Sequence, residues 1–298
     1  MSPLANVAAE LFAALCCALC WIDAWRQGRR WFVLCVVALF FSLGAEAFYL
    51  ATEGPGSGGV YYEYGDFLAV IDAGPVHLPI WIGLGWSSIL YASLWTVDQL
   101  AQRWWIRPIT AGLLAVSIDL SLDPLAEELG WWTWHQVGPA DYFGVPFDNF
   151  VGWWMIVAFF GGAWWAIGDV ASRRGWAAWE LWTPVAAIPI ALGLIAVCQW
   201  LLVHALYPAI GEPGGFLLIF GSALLSVAFG LKGARRDHPP NRVVMSIPLL
   251  FHGFLLAMVV LHLPANAALV VAVPAHLVLG AIVFAWPSID TAAFRGTE

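Results

Sequence analysis

Stretches of about twenty apolar residues recur along the whole chain, at about 4–25, 31–50, 76–97, 108–128, 149–169, 181–205, 215–231, 243–263 and 267–286. A hydrocarbon core ~30 Å thick is crossed by roughly 20 residues of α-helix, and only a helix or a closed barrel satisfies every backbone N–H and C=O inside lipid. The runs leave no stretch long enough for a separate soluble domain. The sequence therefore predicts an all-α fold, a single polytopic membrane domain of about nine transmembrane helices. Composition agrees, because 61% of the 298 residues are hydrophobic and 11% are charged, whereas soluble domains are about a quarter charged. The first run has no basic leader and is followed by Arg-Gln-Gly-Arg-Arg, so it reads as a retained span.

The charges set the orientation. Arg26, Arg29 and Arg30 follow the first run, Arg103 and Arg107 the third, Arg173 and Arg174 the fifth, Lys232, Arg235, Arg236 and Arg242 the seventh, and Arg295 the ninth. All twelve basic residues thus fall on alternate connections. Lys and Arg in short loops are retained on the cytoplasmic side, which puts the N-terminus outside and the C-terminus inside. The opposite connections hold Glu53, Glu63, Asp66, Asp72, Asp141, Asp148 and Glu212 and no basic residue, so the net charge of −8 is concentrated outside. Such a face disfavours nucleic acid and anionic ligands.

The cysteines point to no metal. Cys16, Cys17, Cys20, Cys35 and Cys198 all lie within apolar runs, without CxxC or Cys/His zinc spacing, and read as packing residues. The glycine-rich GPGSGG at 54–59 lacks the Lys and Ser/Thr of a phosphate loop and reads as a flexible connection.

Ionisable groups inside spans cost a few kcal/mol each, so they mark function or specific packing. Glu46 lies about one turn below the outer surface, in SLGAEAFYL. Asp119, Asp123 and Glu127 recur at i, i+4 and i+8, on one face of one helix. Pro124 removes a backbone donor beside Asp123, an irregularity tolerated where the helix faces protein or a wet cavity. Together they predict a cavity opening outward. The structural alternative has the carboxylates tying helices together as acceptors, although no Lys or Arg lies at their depth to pair with them. Among the histidines, His77 and His204 share that depth; the others read as packed.

Residues 131 to 154, WWTWHQVGPADYFGVPFDNFVGWW, join two of the runs with many rings and no cation. One explanation is an interfacial belt of Trp and Tyr; the other is that the loop dips back and closes a lipophilic cavity. With the preceding AEAFYLATEGPGSGGVYYEYGDF, PVHLPIWIGLGWSSILYA and RPITAGLLAVSIDLSLDPLAEELG, the chain over about residues 44–160 resembles the carotenoid biosynthesis membrane protein family that contains the carotenoid 1,2-hydratases and bacterioruberin hydratases. The run YFGVPFDNFVGW carries most of the resemblance.

The resemblance implies cofactor-free addition of water across the terminal double bond of an acyclic carotenoid or related isoprenoid. Its substrate would come from the bilayer of a prokaryotic cell membrane. Such chemistry needs a strong acid, π-faces for a tertiary carbocation and one held water. Asp119 or Asp123 fits the proton donor, with Glu46 as a second candidate, since a carboxyl in an apolar wall holds its proton. Trp131, Trp132, Trp134, Tyr142, Phe143, Trp153 and Trp154 would line the cation's path, with Trp81, Trp86 and His77 contributing to the substrate site. Asn149 and Tyr62 would position the water. Other classes fit the same residues: a non-catalytic isoprenoid-binding protein, an isomerase or cyclase using the same cation, and a proton-coupled transporter.

Overall fold

The computed structural model describes residues 3–54, 58–101, 103–138, 141–230, 235–236, 241–263 and 266–285. Positions 55–57 of the glycine-rich segment, and Lys232 and Arg295 of the charge pattern, lie outside them. In chain order the elements are α1 (Pro3–Gln27), α2 (Arg29–Thr52), β1 (Tyr61–Tyr64), β2 (Val70–Ala73), β3 (Val76–Pro79), α3 (Ile80–Asp98), β4 (Leu100–Ala101), α4 (Ile106–Leu129), β5 (Trp132–His135) and α5 (Phe147–Arg173). These are followed by α6 (Trp179–Leu201), a π-helical turn (Leu202–Leu206), α7 (Tyr207–Gly230), β6 (Arg235–Arg236), α8 (Arg242–His262) and α9 (Ala267–Ala285).

The protein is an all-α, polytopic membrane bundle. Among the described residues, seven helical tracts are long and apolar enough to cross a membrane, one of them the 52-residue tract Trp179–Gly230. The nine-run reading divides that tract in two, and its backbone does the same. At Gly211, φ 75° and ψ 164° interrupt the helix. Before the break α6 runs from Trp179, packed beside Gly168, to Gln199 beside Asp148. After it, Phe216 packs at a tilt against Phe147 and Gly230 reaches Ile106, so α7 returns to the end from which α6 set out. In the last run the side chains are described only to Val278, too short a stretch to count as a span by itself.

Connections that share a charge sign share an end of the bundle. At the basic end, β4 pairs with β6, and Asp23 accepts hydrogen bonds from Tyr91 and Asn241, tying α1, α3 and the start of α8. At the acidic end, Asn6 donates to the Asp66 carbonyl at 2.6 Å and Asn266 to Glu128 at 3.0 Å. At the basic end Trp25, Trp104 and Trp176 are exposed while Trp31 and Trp164 are buried beneath Arg30; at the acidic end Trp81, Trp86, Trp131 and Trp132 are buried.

Two departures from the expected runs bear on the site. The third run was expected to begin at about 76, but α3 starts at Ile80, because Pro79, held extended at φ −66° and ψ 132°, sits at its N-terminal boundary. Residues 76–79 instead form a hairpin with β2. The ring-rich loop is likewise no free excursion: β5 pairs antiparallel with β1, some 70 residues earlier. The centre of the bundle is α3 and α4, whose most apolar windows are 89% and 83% buried against 17% for Trp179–Gly230. The carboxylates of α4 therefore lie in the middle of the molecule, and most of α6 and α7 is left facing lipid.

Candidate active site

Asp119 and Asp123 stand one helical turn apart on α4, both buried, with their carboxyls close enough to interact. Across from them, Pro146 fixes the start of α5 and puts Asn149 in its first turn, where the side-chain amide donates to Asp123 and, at 3.4 Å, to Asp119. The two helices can come this close because Gly112 presents no side chain to Trp154; a Cβ there would lie 2.5 Å from the indole and 2.9 Å from the Trp154 carbonyl oxygen.

Glu46 forms a second acidic pole on α2. It accepts hydrogen bonds from the hydroxyls of Tyr62 and Tyr64, the latter at 3.1 Å, and from the Trp86 indole at 3.4 Å. Strand geometry explains the convergence. In the β1–β5 ladder Tyr62 faces Trp134 and Tyr64 faces Trp132, and alternate residues of a strand point the same way. Four rings thus turn inward, while Tyr61, Glu63 and His135 point outward, with His135 3.1 Å from Glu63 and stacked on Tyr61. The ladder is fastened to α4 by the Glu127 carboxylate, which accepts the Trp134 backbone N–H at 2.8 Å. Burial, then the nearby Glu46, pushes the Tyr62 and Tyr64 hydroxyls well above the usual phenol range, so both keep their protons and donate.

Between the two poles lies a cavity of about 60 Å³. Glu46, Asp123 and Asn149 supply its polar wall, and Tyr62, Tyr64, Trp81, Trp86, Trp132, Trp134 and Trp153 its rings. Ile82, Gly85, Ile89, Leu122 and Phe251 complete it. Trp86 and Trp153 stack with centroids 4.1 Å apart. Among the described residues, the Trp81 and Trp134 indole N–H groups and Asp119 Oδ1 have no hydrogen-bond partner. Buried polar atoms left in that state are suited to a bound water or hydroxyl. Among the described residues, no Lys or Arg lines the cavity.

Glu46, Asp123, Trp132, Trp134, Asn149, Trp153, Tyr62, Trp81 and Trp86, all singled out in the sequence, therefore meet in one place, and Asp119 touches it through Asp123 and Asn149. Five others stand apart. Trp131 is fully buried one layer behind, against Trp81 and Phe254. Trp154, 100° around α5 from Trp153, faces a separate apolar cavity of about 460 Å³ between α4, α5, α6 and α7. Tyr142 packs on Phe150, its hydroxyl 3.2 Å from His276; Phe143, at φ 55°, forms the adjoining tight turn; and His77 pairs with Asp72 at 2.6 Å on the β2–β3 hairpin. The sequence reading omitted Tyr64 and Phe251. Tyr64 joins Tyr62 only through the strand, which the sequence reads as loop, and nothing in the apolar run 243–263 distinguishes Phe251.

The family model described as "Carotenoid biosynthesis protein" matches residues 5–222, extending the resemblance read over 44–160 in both directions. Phe251, on α8, lies beyond that match. No curated protein and no solved structure matches the chain. The match spans well over half of the 298 residues, and the chain belongs to the carotenoid biosynthesis protein family.

Proposed function

We propose that the protein is a cofactor-independent hydratase that adds water across the terminal double bond of an acyclic carotenoid or related isoprenoid, in a prokaryotic cell membrane with the acidic end outward. Its role in carotenoid metabolism follows from the family. The observation that carries the finer reading is the Asp119–Asp123 pair, two buried neighbouring carboxyls at the edge of a ring-lined cavity with no Lys or Arg among its described lining residues.

Two neighbouring carboxyls in an apolar wall resist carrying two negative charges, so the pair is suited to hold a proton. Transfer of that proton to the less substituted alkene carbon leaves a tertiary carbocation. The faces of Trp86, Trp153 and their neighbours stabilise it, each ring contributing ~0.5–2 kcal/mol where water is excluded. A Lys or Arg in that wall would oppose the same charge. Water bound in the cavity captures the cation as a tertiary alcohol. The cavity is far too small for a whole polyene, so it receives the chain end while the remainder stays in lipid.

The test is pigment analysis by chromatography and mass spectrometry of cells that accumulate an acyclic carotenoid and express the protein. The native protein is expected to add the mass of one water. Asp123→Asn, folded and inserted, is expected to lose product by the ~10²–10⁴-fold typical of a missing general acid. Unchanged pigment with the native protein would reject the reaction and favour a binding role for the same cavity.

A further inference from the structure

We propose that the two acidic poles have opposite duties, the Asp119–Asp123 pair giving a proton to the alkene and the Glu46 carboxylate accepting one from the water that ends the cation. The inference rests on the hydratase reading. The poles differ in their partners. Asp119 and Asp123 are buried beside each other, and among the described residues the Asn149 amide is the donor that reaches them. Glu46 has three donors, the hydroxyls of Tyr62 and Tyr64 and the indole N–H of Trp86, on two separate elements. Three donors aimed at one carboxyl favour its anionic form, and the Trp86 indole N–H can do nothing but donate.

Glu46 and Asp123 line the same cavity, so a double bond seated between them meets a proton source on one side and a proton acceptor on the other. An O–H bond of the aspartate pair breaks, and the alkene π electrons form the new C–H bond, leaving the tertiary carbon positive. A lone pair of water forms the C–O bond, and the water's surplus proton passes to Glu46. One water has been added, and the proton on Glu46 must return to the pair before the next turnover.

The experiment uses the full-length protein in detergent micelles, with lycopene as the probe and D2O as solvent. Wild type is expected to give deuterated tertiary alcohol. Glu46→Gln keeps the acid but loses the acceptor: its alcohol is expected to fall ~10²-fold or more. Its recovered lycopene should gain deuterium, because an uncaptured cation reverts by losing either hydrogen of the newly protonated carbon, the original protium as well as the deuteron just delivered. Asp123→Asn should give neither product. Tyr64→Phe, which strips one donor from Glu46, should shift the balance from alcohol towards exchange and serves if Glu46→Gln does not fold. Alcohol at the wild-type rate from folded Glu46→Gln would overturn the assignment, as would loss of alcohol without exchange in either folded variant. Wild type giving neither alcohol nor deuterium would instead reject the hydratase reading.

Discussion

Asp119 and Asp123 were legible from spacing alone, because four residues is one turn and a turn is enough to bring two carboxyls together. Their partner was legible only as a motif: Asn149 sits in YFGVPFDNF, but that its amide reaches across to α4 depends on the closeness of two helices. Adjacent tryptophans show the limit most plainly. Trp153 and Trp154 are chemically the same and differ by 100° around α5, which sends one to the cavity and the other away from it. At this scale Gly112 is the residue to test. Ala there would push its Cβ against the Trp154 carbonyl, backbone that cannot swing aside. Gly112→Ala is expected to destabilise the fold by ~1–3 kcal/mol, read as a lower midpoint of thermal unfolding in detergent. It should also reduce product, since the spacing between Asn149 and the aspartates would open. An unchanged midpoint would mean that the helices are not in this contact.

The elements tell a different story. Helices were foreseeable because apolar length is a local property, and Pro79, Pro146 and Gly130 mark three of their ends in the sequence. The β1–β5 ladder was not, because its strands are four residues each, lie some 70 positions apart and read as loop. It alone gathers Tyr62, Tyr64, Trp132 and Trp134 onto one surface. The break between α6 and α7 was foreseeable as the gap between the runs at 181–205 and 215–231, but its place at one residue was not. There Gly211 occupies φ 75° and ψ 164°, a region open in practice only to glycine. Asp148, bonded to Gln199 and Tyr207, fastens both sides of the π-helical turn just before it. Gly211→Ala is expected to cost ~1–3 kcal/mol, seen as a lowered unfolding midpoint. Gly193→Ala in α6, with no atom within 4 Å of the new methyl, should leave the midpoint where it was or raise it. Equal behaviour of the two variants would show that the reversal at Gly211 is not strained.

For the molecule as a whole, alternation of charge predicted which connections lie together, and the basic and acidic ends are grouped accordingly. What the sequence could not convey is that the late helices belong to the site. α8 packs against α1, α3 and α4 and supplies Phe251, although it lies beyond the family match. The small cavity has a further consequence on the proposed reading. A symmetrical polyene has two reactive tips, and the cavity between the acidic poles is too small to hold more than one of them at a time. After one tip has reacted the molecule must leave, turn end over end in the bilayer and dock again. Turnover is then distributive: in a time course with excess substrate, the singly hydrated compound should build up before any doubly hydrated one appears. Direct formation of the doubly hydrated compound from the first minutes would mean that the chain never lets go.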